Sequence, residues 1–154
     1  MKHAPSPYSS LATAHAVEGT VLAFDFGTKR IGVAVGDMAL RIAHPLTTLE
    51  LAQNEQRFDA IAALIKEWQP ALLVIGLPAH MDGSEHEISR LCRSFALRLE
   101  QRFKLPTILV DERLSSNAAE LSLAESGAPR DRTLIDQVAA QHILQSFFDE
   151  RETS

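Results

Sequence analysis

Val21-Leu22-Ala23-Phe24-Asp25-Phe26-Gly27-Thr28-Lys29-Arg30-Ile31-Gly32-Val33-Ala34-Val35 is the stretch on which the fold turns. It opens as a continuous apolar run, the pattern of a strand buried on both faces. Asp25 interrupts that run, Gly27-Thr28 supplies a tight turn, and Ile31 to Val35 forms a second strand, so the pair predicts a hairpin. A carboxylate near the end of a central strand is costly to bury unless it is paired or bound to a cation. Asp25 therefore asks for a partner. The bland alternative is an Asp that caps the turn through a backbone N–H just after it.

Outward from the hairpin, Gly36-Asp37 is a second turn candidate, and His44 to Leu49 predicts a short third strand that Pro45 assigns to an edge. Gln53 to Trp68 has helical spacing, with Phe58, Ile61, Ala62, Leu64, Ile65 and Trp68 on one broad face, and Pro70 ends it. Ala71 to Gly76 is another wholly apolar strand and hence central. A loop follows from Leu77 to Gly83. Ser84 with Glu87 makes a capping box for a helix reaching about Lys104. Thr107 to Asp111 predicts a strand. Ser115 or Ser116 caps a helix through Leu123, stopped by Gly127-Ala128-Pro129, and a last helix runs from about Thr133 to Asp149. This order predicts one α/β domain over residues 20–150, a mixed sheet covered by helices. Sites in such sheets form at the carboxyl ends of central strands. Asp25, the loop after Gly76, and Asp111-Glu112 all sit at such ends.

The 154 residues suffice for one domain with a real core, and a hydrophobic content of 45% with 23% charged residues is ordinary for a globular protein. A net charge of −5 does not advertise a nucleic-acid binder, although a local basic patch can coexist with it. Cys92 is the sole cysteine, which excludes an internal disulfide and a cysteine-based zinc cluster and suits a reducing cytoplasm. No apolar run approaches a membrane span. Residues 1–19 lack the hydrophobic core of a secretory signal and are expected to be a mobile extension. The expected location is cytoplasmic.

Three acidic positions draw together. Consecutive strand residues point to opposite faces, so only one of Asp111 and Glu112 is expected to face Asp25. On composition alone the pair is equally a solvated strand-end turn. Asp136 falls in the first turn of the last helix, where the helix dipole alone would favour an acid. Ala139 and Ala140, three and four residues on, share its face and would let the helix press close to the sheet. Gathered carboxylates repel, and one would hold its proton at neutral pH. Divalent cations reverse that logic. Mg²⁺ takes carboxylate oxygens and keeps water and substrate phosphate as further ligands. Two such ions clamp the attacking and leaving oxygens of a phosphodiester hydrolysis.

Asp25-Phe-Gly-Thr-Lys-Arg-Ile-Gly-Val-Ala, Gly76-Leu-Pro followed by Asp82-Gly83, Asp111-Glu112-Arg113-Leu114-Ser115-Ser116, and Ile135-Asp136-Gln-Val-Ala139-Ala140 occur in that order. Together they closely resemble the YqgF family, also called RuvX, over about residues 20–150. The resemblance implies an RNase H-like, three-layer α/β fold with a five-stranded mixed sheet. It implies a nuclease dependent on Mg²⁺ or Mn²⁺, with two ions, linked to maturation of the 5′ end of precursor 16S ribosomal RNA. Some members are instead proposed to cut branched DNA, as Holliday junction resolvases do. Carried over by motif, Asp25, Glu112 and Asp136 are the catalytic and metal-binding acids. The partner implied is nucleic acid; the acidic total suggests modest affinity for it when bare, so a ribosomal particle or a helicase is an expected second partner, with the chain a monomer or weak homodimer. The N-terminal extension is the part the family pattern leaves unexplained.

Lys29, Arg30, Arg113 and Arg130 flank the acids in sequence, with Arg132 beside them. Clustered, they would form a phosphate-binding rim; singly, each is an ordinary surface charge. His80 and His86 lie in or beside the loop opposite the acids, where a proton shuttle is conceivable and a surface histidine more common. His142 is expected to be structural, and Trp68 and the phenylalanines to be core rather than stacking platforms. Two other classes compete. An actin-like or sugar-kinase-like ATPase shares the Asp-x-Gly-Thr opening but needs two related domains, and this chain has one such hairpin. A non-catalytic binding module on the same fold is the other, since fold does not fix function.

Overall fold

The computed structural model describes residues 19–50, 53–77, 87–111 and 132–153. The elements are β1 (Thr20–Asp25), β2 (Ile31–Asp37), β3 (Ala43–Leu49), α1 (Asn54–Trp68), β4 (Leu72–Leu77), α2 (Glu87–Phe103), β5 (Thr107–Asp111) and α3 (Arg132–Thr153). The strands form one five-stranded sheet in the order β3-β2-β1-β4-β5. β1 is antiparallel to β2 and parallel to β4, β4 is parallel to β5, and β2 is antiparallel to β3. The expected α/β class and mixed sheet are present, with the two all-apolar strands β1 and β4 side by side at its centre.

Period-two alternation divides the core. Val21, Ala23, Leu72, Val74 and Val110 pack with Ala140, Ile143, Leu144, Phe147 and Phe148 of α3. Leu22, Phe24, Leu73 and Ile75 face the other way, against Phe58 and Ile61 of α1 and Cys92, Phe95 and Leu99 of α2. The result is three layers, with α3 on one face and α1 and α2 on the other. Trp68 and the buried phenylalanines are core, as expected.

Several boundaries differ from expectation for local reasons. Gly36 and Asp37 continue β2 rather than forming the turn. The turn comes next, where the Asp37 carboxylate accepts from the amides of Ala39 at 2.7 Å and Leu40 at 3.3 Å, and Arg41 takes a left-handed φ of 57°. β3 starts one residue earlier than expected, at Ala43, whose N–H donates to Gln145 Oε1 at 3.0 Å and whose carbonyl accepts from Gln141 Nε2 at 3.1 Å. Pro45 does lie on an edge strand. The register steps from Val33↔Thr47 to Ala34↔Pro45, a bulge that accommodates the missing N–H. α1 ends as Gln69 turns left-handed, its N–H bonding Ile65 O at 2.7 Å just before Pro70. α3 extends past Asp149 to Thr153. The Ser84 cap, the helix expected between 115 and 123, and residues 1–18 lie outside the described residues.

Candidate active site

The register places Asp25 between two glycines, Gly32 on β2 and Gly76 on β4. Residues paired across a sheet share a face, so the Asp25 carboxylate stands on the α3 side with no neighbouring side chain on either strand. Half-burial would be expensive for a carboxylate among aliphatic groups; this gap gives it room and contact with solvent.

Gly32 also determines how close α3 comes. A Cβ at Gly32 would overlap the backbone carbonyl of Asp136 and sit 3.1 Å from the Asp136 Cβ. The helix therefore rests directly on the strand backbone. At Gly36, four residues along the same face, a Cβ would meet Phe148 Cε2 and Ile42 O at 2.8 Å. Ala139 and Ala140 are buried on the helix side, as their spacing suggested. The Thr48 hydroxyl donates to Thr133 O at 2.6 Å, tying the start of α3 to β3. Gln141 and Gln145 tie the middle of the helix to the other end of that strand. α3 is thus held along its length, and Asp136 is held with it.

Arg30 completes the group. Its Nε donates to Asp136 Oδ2 at 2.7 Å, with side-chain exposures of 27% and 21%. Asp25, Phe26, Gly27, Thr28, Lys29, Arg30 and Asp136 line one cleft of about 210 Å³, open enough to admit water. Lys29 is exposed at its rim. A larger cleft of about 470 Å³ lies between α1 and α2, on the other side of the sheet, and is lined by Asn54, Glu55, Phe58, Arg98, Gln101 and Arg102. It brings no two carboxylates together, whereas the smaller cleft holds both Asp25 and Asp136.

Of the residues singled out from sequence, Asp25, Asp136, Lys29 and Arg30 meet at this cleft. His142 is half-buried on α3 and lines no part of it. Glu112, Arg113, Arg130, His80 and His86 lie outside the described residues, as does the side chain of Arg132. Among the described residues no group of three His, Cys, Asp or Glu could hold a metal ion. The donor set present is nonetheless the kind a hard cation takes, namely carboxylate oxygens from two elements facing a wet cleft. Asp136 already holds a positive charge there, the Arg30 guanidinium.

Sequence reasoning missed two contributors. Gly32 read only as a strand residue, although a glycine opposite an alanine-bearing helix is itself a signal of close approach. Arg57 carried no sequence signal that set it apart, yet it is 3% exposed. Its Nη2 donates to Gly27 O at 2.8 Å and also to Thr28 O. Burial pushes its guanidinium pKa down from the ordinary arginine value.

The sequence profile of a family described as "RuvX: Holliday junction resolvase" matches residues 19–150. A Methylobacillus flagellatus protein described as "Putative pre-16S rRNA nuclease" is 59% identical over 133 residues, covering 85% of this chain and 91% of its own. A Nitrosomonas eutropha protein of the same description is 56% identical over 135 residues, 86% of each chain. Among solved structures, Thermus thermophilus RuvC in complex with a Holliday junction substrate superposes with a TM-score of 0.56 at 17% identity, covering 88% of this chain and 97% of that one. The yeast mitochondrial Holliday junction resolvase Ydc2 gives a TM-score of 0.53 at 11% identity, covering 83% and 77%. At those identities the likeness is one of fold, and it is the RuvC-type, RNase H-like fold expected from the motifs.

Proposed function

The chain belongs to the RuvX family, and on that premise we propose that it is a metal-dependent endonuclease that hydrolyses phosphodiester bonds in the 5′-end maturation of precursor 16S ribosomal RNA. One observation carries the proposal. Asp25 and Asp136, far apart in sequence, face a single wet cleft whose rim bears Lys29 and Arg30. Acids of the kind that bind cations sit beside bases of the kind that bind phosphate, and the two cations at the rim offset the two carboxylates of a chain that is negative overall.

Glu112 is proposed as the third acid. Val110 packs on the α3 face, the side that carries Asp25. Period-two alternation through that strand therefore favours Glu112 over Asp111. Asp25, Asp136 and Glu112 would hold Mg²⁺ or Mn²⁺, two ions in the full site. When bound, such ions stabilise the charge that develops on the attacking and leaving oxygens of the phosphodiester. The rest is done by the chain. Asp25 is oriented by a strand end with glycine on both sides. Asp136 is oriented by a helix that rests on Gly32 and is tied to β3 by the Thr48–Thr133 bond. Lys29 and Arg30 neutralise the incoming phosphate, with Arg113 and Arg130 proposed to extend that rim. A cytoplasmic location and encounter with ribosomal particles follow from this substrate.

The second reading is a Holliday junction resolvase, favoured by the family's own description and by the fold neighbours. Resolving a junction needs two sites placed by a symmetric dimer. The deciding experiment gives wild type, with Mg²⁺ or with chelator, a labelled precursor 16S 5′ end and a four-way DNA junction, with the oligomeric state measured in the same buffer. Metal-dependent cutting of the RNA by a monomer is the expected result. Junction cutting by a dimer with the RNA untouched would replace the first reading by the second.

A further inference from the structure

Arg57 sits in the first turn of α1, on the sheet face away from Asp136, yet it reaches the turn that follows Asp25. Burying a guanidinium is expensive, and its lowered pKa shows that the cost is incurred here. A side chain kept there against that cost has to make bonds a neutral one cannot. Arg57 Nη2 donates to two successive backbone carbonyls, those of Gly27 and Thr28. Its guanidinium carbon lies 5.5 Å from the centroid of the Phe26 ring. Phe26 in turn packs on Phe95 of α2 at 4.8 Å between centroids, and Phe95 stacks on Phe58 of α1 at 6.0 Å. At Gly27 a Cβ would come within 2.5 Å of Arg30 O, so the turn is already closed as tightly as a backbone allows.

These contacts converge on five residues, Phe26 to Arg30, with Asp25 immediately before them and Arg30 at their far end. We infer that Arg57 is a positioning residue for the cleft: it clamps the Phe26–Thr28 backbone so that Asp25 and Arg30 both face Asp136. It touches no reacting atom. It acts through the turn, coupling the helical layer on one face of the sheet to the carboxylates on the other. A lysine ammonium is a compact point charge and lacks the flat guanidinium face that lies over the Phe26 ring. The inference rests on the nuclease reading for its catalytic consequence and on the turn geometry alone for its structural one.

The test compares Arg57→Met, Arg57→Lys and a core control, Ile61→Ala. Ile61 is fully buried on the same helix and makes its contacts through apolar packing. Two readouts are taken: amide hydrogen exchange across residues 26–30, and kcat and KM on the substrate that wild type cuts. Arg57→Met is expected to speed exchange at the turn amides at least tenfold relative to the β1 core. It should lower kcat roughly 100-fold, the cost of about an ångström of misplacement, with KM within about twofold. Arg57→Lys should recover part of both. Ile61→Ala, at a comparable loss of melting temperature, should keep kcat within about threefold. Unchanged turn exchange in Arg57→Met would overturn the proposal. So would a loss of kcat in Ile61→Ala equal to that in Arg57→Met, since the effect would then be one of stability. A wild type that cuts neither RNA nor junction while the Arg57→Lys turn exchanges faster would refute the nuclease reading and support the clamp.

Discussion

Gly32→Ala is the sharpest perturbation of the site that leaves every charged group in place. The added methyl would overlap the Asp136 carbonyl and lie 3.1 Å from its Cβ. Overpacking a core costs roughly 1–3 kcal/mol when side chains can yield. Here the obstacle is helix backbone, which has no rotamer to change, so the upper end, about 3 kcal/mol, applies. For a chain of this size each kcal/mol is worth about 3–4 °C of melting temperature, giving a fall of about 10 °C. Relief requires α3 to recede by on the order of 1 Å, which strains the Thr48–Thr133 bond and moves Asp136 from Arg30 and Asp25. A shift of that size costs ~100-fold in rate. Gly36→Ala is the matched control: its Cβ would meet Phe148 and Ile42 O at 2.8 Å, well along the helix from the acids. Thermal melting and nuclease turnover on both variants read the difference. Gly32→Ala should lose activity beyond what its stability loss explains, whereas Gly36→Ala should lose stability and keep activity at a permissive temperature. A Gly32→Ala protein with wild-type melting and turnover would refute the idea that glycine opposite Asp136 sets the depth of the helix.

Arg30→Ala removes the cation that Asp136 now holds at 2.7 Å. It should tighten Mn²⁺ binding, measured calorimetrically without substrate, by about threefold to tenfold, while weakening affinity for RNA and flattening its salt dependence by about one phosphate contact. Equal Mn²⁺ affinity in the two proteins would show that Arg30 does not compete for the carboxylate. Cys92 is fully buried with its Sγ 3.1 Å from Gly76 O, so a thiol reagent should label it only at the rate of global unfolding. Rapid labelling under native conditions would show that the α2–β4 contact opens locally.

How much of this the sequence disclosed depends on how far each signal reaches along the chain. The β1–β2 hairpin, the central placement of β4 and the edge placement of Pro45 are local patterns, and all are present in the fold. Asp25 and Asp136 were also legible, one as a carboxylate breaking an apolar strand, the other as an acid on an alanine face. What brings them together was legible only on the helix side, in Ala139 and Ala140. Gly32 looks like any strand glycine until the opposing helix is known, and Gly36 looks like a turn until Phe148 is seen against it. Arg57 was hidden for the opposite reason. Charged helix residues are mostly exposed, and only the fold shows two carbonyls waiting at the place where its guanidinium arrives.

Asp25→Asn is the most direct measurement of the central claim, because it keeps the side chain's size and removes its charge. Wild type and variant, matched by melting temperature, are given labelled precursor 16S 5′ end with Mg²⁺, with Mn²⁺ and with chelator. Wild type should cut only with metal, and Asp25→Asn should lose at least about 1,000-fold in rate while remaining folded, as expected for a group that acts on the reacting phosphate. Cleavage that persists in chelator, or at wild-type rate in Asp25→Asn, would contradict a metal-dependent site built on this cleft.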